Sequence, residues 1–257
     1  MEVDAFDVNP LTKHYFYLKK AAMTADLTKK EYLDFFNGYG VNTRENALNT
    51  NTYHKIQSFL EKDERLFWDY LFENYSSKDI STHLFSRELL SSKMLERTIK
   101  YLSDEGFQEI KKNIHKLKIN FYQQDLMNLP ETLNNTYDFM YLSNIVQYID
   151  GIFKNYNSED KKNQMLNLLK YKALLERLRK KLNHQGQIVA GYIYAIEHKI
   201  DNISIFNPEV RENIFPEEKY NYYFFDSIED ISDSIDFKKD YHTKSDACIV
   251  YPSSKNK

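Results

Sequence analysis

The chain is poor in the residues that build several common kinds of site. It has a single cysteine, Cys248, in 257 residues, which excludes an internal disulfide and a thiolate metal cage. Six glycines in the whole chain restrict the loops whose backbone can approach a ligand closely. No Gly-x-x-x-x-Gly-Lys-Ser/Thr run is present, so a P-loop nucleotide site is excluded. The seven histidines are scattered, with no His-x-x-His or His-Glu-x-x-His spacing, and no metal site is expected. Neither charge sign dominates: 35 Lys and Arg against 38 Asp and Glu leave a net charge of −3. That is no footprint for a phosphate backbone, so nucleic acid is not an expected partner. The longest apolar runs, such as Ile188–Ile196, fall short of the roughly 20 residues a membrane span needs. The acidic start Met1-Glu2-Val3-Asp4 is unlike a signal peptide, and a cytoplasmic location is expected.

What is present reads as a mixed globular chain, with 42% apolar and 28% charged residues, long enough for one large core. Val3–Val8 reads as a strand that stops at Asn9-Pro10, an N-cap followed by the first helical position. The spacing then predicts a helix over Leu11–Ala25 with Leu11, Tyr15, Leu18 and Ala22 on one face. Thr28-Lys29-Lys30-Glu31 has capping-box spacing, opening a second helix to Asn37, with Gly38 as its C′ residue. Residues 39–51 read as a polar loop. A long helix is expected over Thr52–Tyr75, turning Ile56, Leu60, Phe67, Leu71 and Trp68 inward, followed by helices at Ser92–Leu102 and Asp104–Leu117.

The pattern then changes. Lys118–Tyr122 alternates like a strand and runs into Gln123-Gln124-Asp125-Leu126. Pro130–Asn135 reads as a turn or short helix. Tyr137–Leu142 is a nearly continuous apolar strand, as in a sheet covered on both faces, ending at Ser143-Asn144. A helix over Asp160–Leu182, a turn at Asn183–Gly186 and a strand over Gln187–Ile196 come next, with later strands at Tyr220–Phe225 and Ala247–Tyr251. Strands alternating with helices indicate an open α/β sheet, in which ligands bind at the carboxyl ends of strands. That rule selects Asp7, Asp125 and Ser143-Asn144. Each has a plain alternative: Asp7 as a cap of the following helix, Asp125 as an exposed turn residue, and Ser143 as an N-cap.

Tyr137-Asp138-Phe139-Met140-Tyr141-Leu142-Ser143-Asn144 resembles the fourth strand of class I S-adenosylmethionine-dependent transferases. Phe6-Asp7-Val8-Asn9-Pro10, Leu18-Lys19-Lys20-Ala21-Ala22 and Tyr32-Leu33-Asp34-Phe35-Phe36 resemble one branch of them. That branch is the S-adenosylmethionine:diacylglycerol aminocarboxypropyl transferase family and its uncharacterised relatives. The resemblance implies a single Rossmann-like transferase domain over residues 1–257, with a class I methyltransferase-type sheet. A helical insertion over 26–117 would lie between its second and third strands.

It further implies S-adenosylmethionine as cofactor, bound by Asp7, Asn9, Asp125, Leu126, Ser143 and Asn144. The reaction implied is aminocarboxypropyl transfer to a lipid or small-molecule acceptor, a lipid bringing peripheral membrane contact. Tyr148 or Asp150 would be the general base, though either also suits a solvated surface. Methyl transfer with the same cofactor, or a non-catalytic binding or assembly role on this fold, are the competing expectations.

The chain departs from the family in one respect. Class I members place a first strand and a glycine-rich turn ahead of the Asp7-type strand, and that first strand lies between the second and the fourth. Here six residues precede Asp7, and no glycine comes before Gly38. The expectation is therefore an N-terminally truncated sheet split at its centre. Three accounts stay open: a start internal to a longer gene, a naturally shortened relative, or a different α/β fold in which Val3–Phe6 is the first strand.

Overall fold

The computed structural model describes residues 2–36, 47–84, 100–143, 161–190, 212–216, 218–225 and 246–253. The expected Gly38 cap, most of the Ser92–Leu102 helix, the 191–196 end of one strand, and Asn144, Tyr148 and Asp150 lie outside the described residues. The chain divides into two compact units, Met1–Leu126 and Met127–Lys257. The architecture is mixed α/β, with a small parallel sheet and a mixed sheet. Among the described residues no helix is long and apolar enough to cross a membrane.

In the first unit, β1 (Glu2–Asp7) leads into α1 (Pro10–Thr24), where the Asn9 side chain accepts from the Leu11 amide and Pro10 opens the helix. Thr28 and Glu31 form the reciprocal box at the start of α2 (Lys29–Phe36): the Thr28 amide donates to Glu31 Oε2 at 2.8 Å and the Glu31 amide to Thr28 Oγ1 at 3.2 Å. The single helix expected over Thr52–Tyr75 is two. α3 (Thr50–Ile56) passes through a 3₁₀ turn to Leu60, whose backbone is extended, before α4 (Lys62–Asn74) restarts with Asp63 and Glu64 in its first turn. Burying Leu60 with its backbone extended directs the chain into a new helix. α5 (Ser77–Leu84) was not anticipated, although the Asp79 amide donates to Ser76 Oγ at 3.2 Å as its sequence spacing allows. α6 (Asp104–Asn113) is capped by Ser103, and β2 (Lys118–Gln123) follows. Among the described residues of 26–117 every regular element is helical.

The core of this unit is formed by its helices: Leu18 and Ala22 of α1, Tyr32 and Phe35 of α2, Tyr53 and Ile56 of α3, Trp68 of α4 and Phe107 of α6. Leu11, expected on the inward face, is exposed, because it lies in the first turn, ahead of the buried stretch from Leu18 to Met23. β1 and β2 pair in parallel from Glu2↔Lys118 to Asp7↔Gln123, and no residue of either strand is fully buried.

The second unit holds α7 (Leu129–Thr132), β3 (Tyr137–Leu142), α8 (Lys161–Arg179), β4 (Leu182–Ala190), β5 (Asn221–Phe225) and β6 (Asp246–Pro252). Its strand order is β3-β4-β6-β5, with β3 and β4 parallel and β6 antiparallel to both its neighbours. Asn183–Gly186, expected as a turn, is strand. The ladder shifts register between Tyr137↔Leu182 and Phe139↔Gln187, so the extra residues form a bulge rather than a connection. Gly186 is required there, since an added Cβ would stand 2.6 Å from the Tyr137 carbonyl oxygen. β3 is not covered on both faces as expected. Met140 and Leu142 are buried, whereas Phe139 and Tyr141 are 53% and 49% exposed.

Candidate functional site

Parallel pairing of β1 with β2 carries both chains to the same rim, where their carboxyl ends lie side by side. The pairing extends past the strands, because the Gln124 amide donates to the Asp7 carbonyl at 3.1 Å. Asp125 and Leu126 follow directly. Neighbouring strands lie about 4.8 Å apart, so the segments carrying Asp7 and Asp125 leave the sheet side by side. Asp7, Asn9, Asp125 and Leu126 therefore share one strand-end rim in the first unit.

Their individual roles differ. Asp7 Oδ1 accepts from the Asn9 amide at 2.8 Å, and Asn9 Oδ1 accepts from the Leu11 amide at 3.0 Å. Asp7 thus builds the turn between strand and helix with one carboxylate oxygen. Its Oδ2 has no hydrogen-bond partner among the described residues. Asn9 is exposed and serves as the helix cap. Leu126 is buried and begins a 3₁₀ turn, so it supplies packing beneath the rim. In the second unit, Ser143 follows the last residue of β3 and is half-buried.

At the opposite end of β1, Lys118 Nζ donates to Glu2 Oε1 at 2.8 Å, and Asn120 Nδ2 donates to Glu2 and to Asp4. Lys118, and then Asn120, hold the Glu2 carboxyl below the usual carboxylate range. The acidic groups at that end are thus matched within the sheet.

An ionised carboxylate accepts only, so Asp7 Oδ2 presents a hydrogen-bond acceptor at this rim. Sequence reading did not find half-buried His14 and buried Glu64, which hydrogen-bond from α1 to α4 across 50 positions; no local spacing marks such a contact. Among the described residues no cluster of His, Cys, Asp and Glu is arranged to hold a metal ion. No protein-family model matches the chain, and no curated protein matches it.

Proposed function

We propose that the protein is an S-adenosylmethionine-dependent transferase with a class I-type sheet, and that it transfers the aminocarboxypropyl group to a lipid or other small acceptor. The observation that carries this reading is the shared rim formed where β1 and β2 end, with Asp7 closing β1 and Asp125 two residues beyond the end of β2. A further support lies within each sheet taken by itself: β1 and β2 pair in parallel, as the family's second and third strands would, and β3 and β4 pair in parallel, as its fourth and fifth would.

In this reading Asp7 Oδ2 accepts from the ribose hydroxyls and Asp125 from the adenine amino group, while Asn9 and Leu126 shape the rim. Ser143 and Asn144 would line the transfer site, with Tyr148 or Asp150 taking the proton of the acceptor hydroxyl or amine. When bound, the cofactor supplies an electrophilic carbon beside a sulfonium. The chain's own contribution is to hold the nucleoside and position a base.

Isothermal titration with S-adenosylmethionine tests the reading. Binding that weakens in Asp7→Ala and Asp125→Ala supports it, and absence of heat at high micromolar ligand removes it. With an acceptor in hand, release of methylthioadenosine identifies aminocarboxypropyl transfer, and release of S-adenosylhomocysteine identifies methyl transfer instead.

A further inference from the structure

Glu64 puts a carboxylate inside the helical core of the first unit, where it is 4% exposed. Burying such a group costs several kcal/mol unless it is paired. Both partners come from α1. Lys13 Nζ lies 3.2 Å from Oε1, and His14 Nδ1 hydrogen-bonds Oε2. The imidazole is held from other directions as well. Its ring stacks on Phe67, with centroids 3.9 Å apart and planes inclined by 6°. The Trp68 indole donates to the His14 carbonyl at 3.1 Å.

Pinning α4 to α1 requires no more than the carboxylate, Lys13 and the indole. The oriented imidazole adds a chemical consequence. In the tautomer that donates Nδ1–H to the Glu64 carboxylate, the lone pair lies on Nε2. That nitrogen has no hydrogen-bond partner among the described residues, and the side chain remains 22% exposed. Tyr17, one turn along α1, belongs to the same neighbourhood. Burial raises its phenol above the ordinary value, and the Glu61 carboxylate at the start of α4 raises it further.

We propose that His14 and Glu64 form a proton-transfer dyad in which His14 Nε2 accepts a proton from a hydroxyl or amine of a small molecule. The N–H bond forms at Nε2 as the substrate O–H or N–H bond breaks. The electron pair stays on the substrate atom, and Glu64 stabilises the resulting imidazolium. The dyad is separate from the strand-end rim and does not depend on the transferase reading.

Diethyl pyrocarbonate acylates the neutral imidazole nitrogen that carries the lone pair, so it reports on Nε2 in the intact protein. Peptide mass mapping at neutral pH follows His14 beside exposed His54. His14 is expected to be acylated in the folded protein, because its Nε2 lone pair is open to a small molecule. A wild-type His14 that stays unmodified while His54 reacts would show that the ring is only a structural pin. Nitrogen-15 spectra of the wild-type imidazole give an independent reading that needs no variant. The Nδ1–H tautomer supports the dyad, and the Nε2–H tautomer overturns it.

Discussion

The Gln124 amide donates to the Asp7 carbonyl at 3.1 Å, so the last link between β1 and β2 is made by the residue immediately before Asp125. Backbone pairing, rather than side-chain contact, sets the two carboxylates on adjacent strand ends. Either carboxylate can therefore be replaced without disturbing the pairing.

Asp7→Asn keeps an oxygen acceptor for the Asn9 amide while discarding the charge. The fold should remain, judged by circular dichroism. Affinity for S-adenosylmethionine should fall about tenfold to a hundredfold, since hydrogen bonds to charged groups contribute about 1.5–3 kcal/mol. Asp125→Asn should behave alike in titration calorimetry.

Trp68 is fully buried in the helical core. Trp68→Ala leaves a large void among Phe67, Phe72 and α1 and should cost about 3–5 kcal/mol. Urea unfolding followed by circular dichroism measures it, because Trp68 is the chain's one tryptophan and fluorescence is lost with it.

Acid should weaken the junction of α2 and α3. Lys55 foremost, then the amide and hydroxyl of Thr28, hold the Glu31 carboxyl down at about 2. A carboxyl lowered in the folded state contributes stability that is full above its unfolded value of 4.5 and is lost as pH falls towards 2. Urea midpoints should decline over that interval, and Glu31→Gln should make the decline shallower.

Gly186 faces a backbone oxygen that cannot rotate away. Gly186→Ala brings a methyl group 2.6 Å from the Tyr137 carbonyl oxygen, forcing β3 and β4 apart at the bulge. A loss of about 1–3 kcal/mol is expected from such overpacking. Gln185→Ala, at the exposed neighbouring position, should stay within about 0.5 kcal/mol in the same urea titration.

The Tyr171 hydroxyl on α8 is buried with no hydrogen-bond partner among the described residues, and burial raises its phenol above the ordinary value. Tyr171→Phe removes that unsatisfied group without changing the packed ring. The variant should be more stable by about 1 kcal/mol, seen as a higher urea midpoint.

Features carried by neighbouring residues were legible in the sequence. Asn9-Pro10 opens α1, Thr28 and Glu31 open α2, and the alternation at Lys118–Tyr122 marks β2, because caps and pleats act within a few residues. Some local signals were present and missed: Asp63 and Glu64 mark the restart of α4, and Ser76 with Asp79 marks α5. Their apolar periodicity ran on across the breaks and concealed them. At the candidate site, the strand ends at Asp7 and Asp125 were legible. The turn-forming role of Asp7 Oδ1 stood only as one alternative among the readings of that residue.

Sequence alone determined where helices and strands begin and which residues close them, since those preferences reside in φ, ψ and hydrogen bonds between near neighbours. It also determined the apolar stock from which a helical core is built. Tertiary structure decided which strands pair, that Asn183–Gly186 is a bulged strand rather than a turn, and that β3 leaves Phe139 and Tyr141 exposed. It alone joined His14 to Glu64 across 50 positions. Such choices depend on the desolvation and packing of groups far apart in the chain, which no local pattern encodes.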